Sequence, residues 1–260
     1  MQVTVLGSGS SGNSTLLRKG NRVILIDAGF SCRELERRIR RAGFDPSEVS
    51  AIVVSHEHND HIRGAEVFSR KHQIPVFFSE GTLESENVNA EKFRGVESFS
   101  VGKGFEIDEF YIKPFTIAHD ALDPCAFVVS NNGISAGVGT DLGYITRLTQ
   151  NMFAGLDLLV LEANYDPEML INGPYPWFLK QRISSRNGHL SNPEMAEFVT
   201  SFVSESTRHL LLAHLSQTNN TPTLALQTCV DALAESGNDV TRIDVTDQFS
   251  SSRIIDLEVE

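Results

Sequence analysis

The chain has 260 residues, of which 40% are hydrophobic and 22% are charged, and its formal net charge is −12 at pH 7. This composition predicts a globular fold and excludes a largely disordered chain. The acidic balance counts against a nucleic-acid-binding protein, which usually has a basic surface, although bound divalent cations would offset part of that charge.

We expect neither a membrane segment nor an exported protein. No apolar run reaches the roughly 20 residues that span a bilayer, and the opening residues MQVTVL lack the basic and apolar regions of a secretory signal. Cys32, Cys125 and Cys229 are too widely spaced for a CxxC zinc motif and are odd in number, against a disulfide framework. These features predict a cytoplasmic protein with reduced thiols.

The first residues predict three short strands, at 3–6, 15–17 and 23–26. Between the first two lies a turn rich in Gly and Ser, GSGSSGNS at 7–14. Its spacing matches neither GxGxxG before a helix nor GxxxxGKS, which argues against a nucleotide-binding loop. Two interpretations remain: a tight hairpin connection, or a loop whose Ser10 and Asn13 line a binding site.

Asp27 follows the third strand, and two roles are open to it. It can cap a helix, or it can hold the free N–H of a metal-binding histidine. The next stretch, 31–42, predicts an amphipathic helix with one apolar face. Its five arginines form a solvated surface or contact a nucleic-acid backbone, and both interpretations stay open. These arginines are Arg33, Arg37, Arg38, Arg40 and Arg41.

The most informative stretch is Ser-His-Glu-His-Asn-Asp-His at 55–61. It follows the apolar run 51–54, which predicts a buried strand, and precedes a helix that extends to about residue 72. A strand fixes the backbone, and the turn after it lets side chains converge. The pattern therefore predicts a metal site in which His56, His58, Asp60 and His61 serve two divalent ions.

The rest of the chain alternates strands with helices. Further strands are predicted at 75–78, 110–117, 126–130, 134–139, 156–162, 209–212, 240–245 and 254–259. Helical segments are predicted at 81–90, 144–153, 167–183, 194–203 and 221–235. Ser191 or Asn192 is the expected cap of the helix at 194–203. The pattern favours a single domain over residues 1–260, of the α/β (α+β) class, with two sheets and helices outside them.

Three further polar residues lie where predicted strands end: His119, Asp141 and His214. Metal sites gather imidazoles and carboxylates in space rather than in sequence. We expect three histidines on one ion, with Asp60, His61 and His214 on the other and Asp141 between the two.

The motif HxHxDH at 56–61, followed by His119, Asp141 and His214 at strand ends, resembles the metallo-β-lactamase superfamily. The resemblance covers essentially the whole chain. It implies a four-layer αββα sandwich of two mixed sheets with a dinuclear site at one edge. It also implies that His56, His58 and His119 hold the first ion and that Asp27 supports the histidine cluster. Imidazole-rich sites suit zinc, and manganese and iron also occupy sites of mixed nitrogen and oxygen ligands.

A narrower resemblance is to the WalJ/YycJ branch of bacterial exonucleases. It rests on the segments GSGSSGNS at 7–14, HDALDP at 119–124, TDLG at 140–143 and GHLSN at 188–192. This resemblance implies a metal-dependent phosphodiesterase that acts as a 5′ to 3′ DNA exonuclease in DNA repair. A hydroxide shared by two ions would be the nucleophile.

Several residues are candidates for catalysis and substrate binding. Asp60 can orient the nucleophile besides binding metal. His189 can contact a phosphate or protonate the leaving group, or it can be a loop histidine without a role. Four more residues can hold the nucleic-acid backbone: Arg182, Arg186, Ser191 and Asn192.

Two other functions remain open from the sequence. The same site can hydrolyse a small lactone or thioester, which a narrow apolar pocket would favour over a basic groove. A non-catalytic metal- or nucleic-acid-binding protein is the alternative of another class, and the complete ligand set argues against it.

Overall fold

Two facing β-sheets form the centre of the fold. The computed structural model describes residues 1–258, and within them each sheet has seven strands. The first sheet has the spatial order β14 (Ile255–Asp256), β1 (Gln2–Gly7), β2 (Ser14–Lys19), β3 (Arg22–Ile26), β4 (Val49–Val53), β5 (Val76–Ser79) and β6 (Val96–Phe99). The second has the order β13 (Arg242–Val245), β12 (His209–Ala213), β11 (Leu158–Glu162), β10 (Ile134–Gly139), β9 (Cys125–Asn131), β8 (Phe110–Thr116) and β7 (Phe105–Ile107).

Both sheets are mixed. Strands β3 to β6 are parallel to one another, as are β10 to β13, and the remaining pairs are antiparallel. Parallel neighbours place the carboxyl ends of their strands at the same edge of the sheet. The side chains that follow these strands therefore share one edge of the molecule.

Hydrophobic cores on both faces of each sheet define four layers. In β4, Ala51 and Val53 pack between the sheets, whereas Ile52 packs on the outer face. This alternation explains why the strand is apolar throughout, since both of its faces are covered. The outer core of the first sheet includes residues of α1 (Cys32–Arg41) and α3 (Ala65–His72). The outer core of the second includes residues of α4 (Arg147–Phe153), α7 (Asn192–Phe202) and α8 (Pro222–Ser236). The predicted two-sheet fold with helices outside is confirmed.

Three short helices complete the described chain: α2 (Asn59–Ile62), α5 (Pro167–Asn172) and α6 (Trp177–Ile183). The single helical region predicted at 167–183 is thus two helices, since Gly173, Pro174 and Pro176 interrupt it. No helix within residues 1–258 is long and apolar enough to cross a membrane.

The helix predicted at 81–90 is wrong. That segment contains only 3-10 turns at Thr82–Glu84 and, just beyond, Ala90–Lys92. The side chains of Ser85 and Asn89 accept hydrogen bonds from backbone N–H groups two residues ahead, which stabilises turns at the expense of a helix. The strand predicted at 254–259 is only Ile255–Asp256, and residues 259 and 260 lie outside the described residues.

Candidate metal centre

The predicted ligands converge at the edge where β3, β4, β8, β10 and β12 end. Three residues that follow strands have a left-handed backbone: Asp27 (φ 63°), Asp141 (φ 58°) and His214 (φ 56°). Asp and His are among the residue types that adopt this conformation more readily than most others. The backbone turns sharply at these positions, just beyond the ends of the strands.

His56, His58 and His119 form one group, in which one ring nitrogen of each lies within 4.8 Å of the others. The ring of His119 is fixed because its Nδ1 lies 3.1 Å from the carbonyl oxygen of Gly188. If Nδ1 donates that bond, Nε2 of the neutral ring is free as a ligand. Burial and the neighbouring His61 ring lower the pKa of His56 well below its usual value, which favours the neutral, metal-binding form.

Asp60, His61 and His214 form a second group, in which one carboxylate oxygen and two ring nitrogens lie within 4.8 Å of one another. Nδ1 of His61 lies 2.7 Å from Oδ2 of Asp27, as expected for an acid that supports a metal-binding histidine. Asp27 does not cap the following helix, because Ser31 occupies that position in α1.

Asp141 lies between the two groups. Its Oδ2 is 2.9 Å from Nε2 of His61, and its Oδ1 is 3.7 Å from Nε2 of His119 and 3.6 Å from Nδ1 of His214. Burial favours the neutral acid, but the rings of His214 and His61 outweigh it and lower the pKa of Asp141 well below its usual range. Asp141 is therefore an ionised carboxylate that faces both groups.

The donor set fits divalent metal ions. Nε2 of His56 and Nε2 of His214 are buried and have no hydrogen-bond partner. Burial alone would lower the pKa of His61, but the carboxylates of Asp27, Asp141 and Asp60 raise it well above its usual value. The ring therefore carries a proton on Nδ1 towards Asp27 and one on Nε2 towards Asp141, at 2.7 and 2.9 Å. A divalent ion can replace the proton on Nε2, and imidazole with carboxylate suits zinc, manganese or iron.

Glu162, at the end of β11, is a site residue that the sequence analysis missed. Its Oε1 lies 2.8 Å from Nδ1 of His189 and 2.9 Å from Nδ1 of His214. Its Oε2 accepts hydrogen bonds from the backbone N–H groups of Leu142 (2.5 Å) and Leu190 (3.2 Å). Its only signal in the sequence was an acidic residue at the end of an otherwise apolar strand. That pattern is also typical of a buried strand with no role in a site.

His189 lies at the mouth of the site. Burial alone would lower the pKa of His189, but the Glu162 carboxylate raises it above its usual value. Since Nδ1 is held by Glu162, Nε2 is the ring nitrogen left to exchange a proton with a bound molecule.

A cavity of about 310 Å³ opens over the two groups. Among the predicted substrate contacts, Ser10 and Arg182 line it together with His189. Tyr175 and Leu179, which the sequence analysis did not single out, form part of its wall. Nε of Arg182 donates a 2.7 Å hydrogen bond to Oδ2 of Asp120, so the cation is held beside the cavity.

Four predicted substrate contacts do not line the cavity, and the structure gives Ser191 and Asn192 other roles. Ser191 is the N-cap of α7, where its hydroxyl accepts a hydrogen bond from the backbone of Glu194. Asn192 is buried, and its amide exchanges hydrogen bonds of 3.0 and 2.9 Å with Asn220. The chain enters a helix directly after His189 and Leu190, which carries both side chains away from the cavity.

The other two are Asn13 and Arg186. Asn13 is buried. Its backbone N–H donates a 2.8 Å hydrogen bond to the carbonyl oxygen of Asp60, and its side-chain amide nitrogen lies 3.3 Å from Oδ2 of the same residue. It therefore supports the turn at 56–61 rather than lining the cavity. The Arg186 guanidinium stacks on Tyr144, 4.4 Å from the ring centroid.

Comparisons with known proteins identify the class to which this two-sheet sandwich with a His/Asp cluster belongs. A family model for the β-lactamase superfamily domain matches residues 22–215. The chain is 35% identical to exodeoxyribonuclease YycJ of Bacillus anthracis over 91% of its length and 90% of the relative's. It is also 35% identical to exodeoxyribonuclease WalJ of Streptococcus pneumoniae serotype 2 (strain D39), over 89% and 88% of the two chains.

Among solved structures, the metallo-β-lactamase fold protein YhfI of Bacillus subtilis superposes with a TM-score of 0.74 and 16% identity, over 96% of this chain and 98% of that one. The chain belongs to the metallo-β-lactamase superfamily, and it is a metallo-hydrolase.

Proposed function

We propose that the protein is a DNA exonuclease that hydrolyses phosphodiester bonds from the 5′ end with two divalent metal ions. The similarity to two exodeoxyribonucleases over about nine-tenths of each chain carries this proposal. The lining of the cavity supports it, since Arg182 and the histidines beside a carboxylate cluster suit a phosphodiester better than an apolar lactone or thioester.

In this proposal His56, His58 and His119 hold one ion, Asp60, His61 and His214 hold the second, and Asp141 contacts both. The unpartnered ring nitrogens of His56 and His214 support this assignment, as does the position of Asp141 between the two groups. Divalent zinc, manganese or iron held there would lower the pKa of a water molecule and polarise a phosphoryl oxygen.

The protein's own side chains position the substrate and move protons. Asp60, which lines the cavity, orients the attacking water. Arg182 binds a non-bridging phosphate oxygen by exchanging its contact with Asp120. His189, whose Nδ1 is held by Glu162, gives the proton on Nε2 to the leaving 3′ oxygen.

Such an enzyme would act on DNA in the cytoplasm as a single-domain protein. The buried thiols of Cys32, Cys125 and Cys229 are consistent with that compartment, since none forms a disulfide.

The test is a cleavage assay on 5′-phosphorylated single- and double-stranded DNA and RNA, with zinc, manganese or iron added in turn. We expect release of nucleotides from 5′-labelled DNA, and no release by the His58→Ala variant prepared in the same way. Equal activity of this variant would indicate a contaminant. Rapid lactone or thioester hydrolysis without cleavage of any nucleic acid would overturn the proposal.

A further inference from the structure

The segment from α5 to α6 exposes two aromatic side chains beside the cavity. Trp177 is 68% exposed and Phe178 is 72% exposed. Tyr175, Leu179 and Arg182 of the same segment line the catalytic cavity. One short element therefore contributes to the wall of the site and presents aromatic rings to solvent next to it.

These aromatic side chains belong to a larger apolar surface. Ile171, at 60% exposure, lies on the same segment. Together with Trp177, Leu170 and Tyr165 it lines a second cavity of about 230 Å³ between α5 and α6. Isolated exposed apolar residues need no explanation, but a contiguous apolar surface next to an active site indicates a binding surface.

The charge of this region differs from that of the whole chain. Between Met169 and Pro193 the sequence has no Asp or Glu, whereas the net charge of the chain is −12. The same stretch carries Lys180 and Arg182, and Arg182 also lines the cavity. Cations close to exposed aromatic rings match a ligand that carries both phosphates and flat bases.

We propose that Trp177 and Phe178 form a stacking platform for unpaired bases of the strand whose phosphate occupies the cavity. This inference rests on the proposed nuclease function and defines its substrate as a single-stranded end. In a duplex the base faces are covered by their neighbours, so an aromatic side chain reaches them only when the strand is unpaired or frayed. Arg182 would bind the phosphate while the adjacent base lies on the aromatic surface.

The chain provides its own reporter, because Trp177 is its single tryptophan. The experiment titrates metal-stripped protein in EDTA with oligothymidylate and follows tryptophan fluorescence, so that no cleavage contributes. We expect quenching by oligothymidylate, weak quenching by an abasic oligonucleotide of the same length, and weak quenching by duplex DNA.

Variants separate stacking from other effects. Phe178→Ala keeps the reporter, and we expect its affinity for oligothymidylate to fall about tenfold, the size of one stacked base. Trp177→Ala, measured by anisotropy of a labelled oligonucleotide, should show a loss of similar size. Tyr111→Ala is the matched control, because Tyr111 is a 45% exposed aromatic residue near the start of β8, away from the strand end that precedes His119.

Equal affinities of wild type, Trp177→Ala and Phe178→Ala would overturn the stacking platform. If wild-type enzyme loaded with metal still cleaved DNA, the proposed function would stand and only this inference would fail. Sedimentation tests the competing occupant: dissociation of a dimer by Trp177→Ala, with DNA affinity unchanged, would assign the surface to a second copy of the chain and overturn the inference.

Discussion

Oδ2 of Asp27 lies 2.7 Å from Nδ1 of His61, and this contact determines which ring nitrogen of His61 faces Asp141. The same carboxylate accepts hydrogen bonds from the backbone N–H of Ser55 (2.8 Å) and from its hydroxyl (2.9 Å). Asp27, which directly follows β3, thus fixes the turn that follows β4.

Asp27→Asn should weaken metal binding. In the variant, the side-chain NH₂ group of the new asparagine replaces the carboxylate oxygen that accepts a hydrogen bond from Nδ1 of His61. His61 then carries its proton on Nε2 and loses the lone pair with which Nε2 would bind a metal ion. We expect a loss in metal affinity of about 10–100-fold, measured by competition with a chromogenic chelator. Asp45→Asn, at an exposed turn remote from the site, is the control. Unchanged affinity in Asp27→Asn would show that the contact does not orient the ligand.

Glu162→Gln should lower turnover by about 10²–10⁴-fold, because His189 loses the carboxylate that orients it and raises its pKa. His189→Ala should cost a similar factor. Both changes remove the same proton donor, and Glu162→Gln also removes the partner of Nδ1 of His214. The double variant should therefore lose little more than Glu162→Gln alone. Multiplicative losses in kcat would show that the two residues act independently.

Arg182 and Arg186 are expected to differ, although both are arginines of one short segment. Arg182 lines the cavity, whereas Arg186 stacks on Tyr144. Arg182→Ala should raise the KM for DNA and reduce the slope of log affinity against log salt by about 1. Arg186→Ala is the matched control and should change neither quantity. Identical effects of both substitutions would indicate a diffuse electrostatic effect of the segment.

Removal of metal should lower thermal stability. Asp60 and Asp141 approach the same His61 ring, and buried nitrogens of His56 and His214 lack partners without a cation. Ions that bind only the folded chain stabilise it, and we expect a melting temperature about 10 °C higher with saturating metal than in EDTA. Scanning calorimetry measures the shift, and elemental analysis should give two equivalents. A single equivalent would contradict the dinuclear site.

The buried thiols predict an alkaline loss of stability. Burial raises the pKa of Cys229 to about 12 and that of Cys125 well above its usual value. In the unfolded chain a thiol ionises near pH ~8.5. The contribution of these buried thiols to the free energy of unfolding is therefore complete below that pH and is lost progressively as the pH rises towards 12. Urea midpoints at pH 7 and pH 10 should differ more for wild type than for Cys229→Ala, and an equal decline would contradict this assignment.

Local patterns in the sequence predicted much of the site. The turn at 56–61 places its ligand candidates within a few residues, so the motif alone indicated a metal site. His119, Asp141 and His214 required one more inference, that strand ends meet at one edge. The parallel strands β10 to β12 provide that edge for Asp141 and His214. Because β8 and β10 are both antiparallel to β9, they run in the same direction, and the end of β8 brings His119 to the same edge.

The remainder depended on three-dimensional contacts. Glu162 followed a run of apolar residues and was indistinguishable from the end of a buried strand. Ser191 and Asn192 are neighbours of His189 in sequence, but the start of α7 takes them away from the cavity. The exposure of Trp177 could not be inferred from a segment whose apolar content also suits a buried helix.

The site draws on both halves of the chain: the turn after β4 supplies residues of both groups, His119 after β8 completes the first group, and His214 after β12 completes the second. If the two ions bind as proposed, a growing chain on the ribosome cannot hold both until β12 has been synthesised and has paired with β11. Tight metal loading thus reports that synthesis and folding of both sheets are complete. Chains truncated before His214 should be recognisable in the cell by their failure to hold both ions.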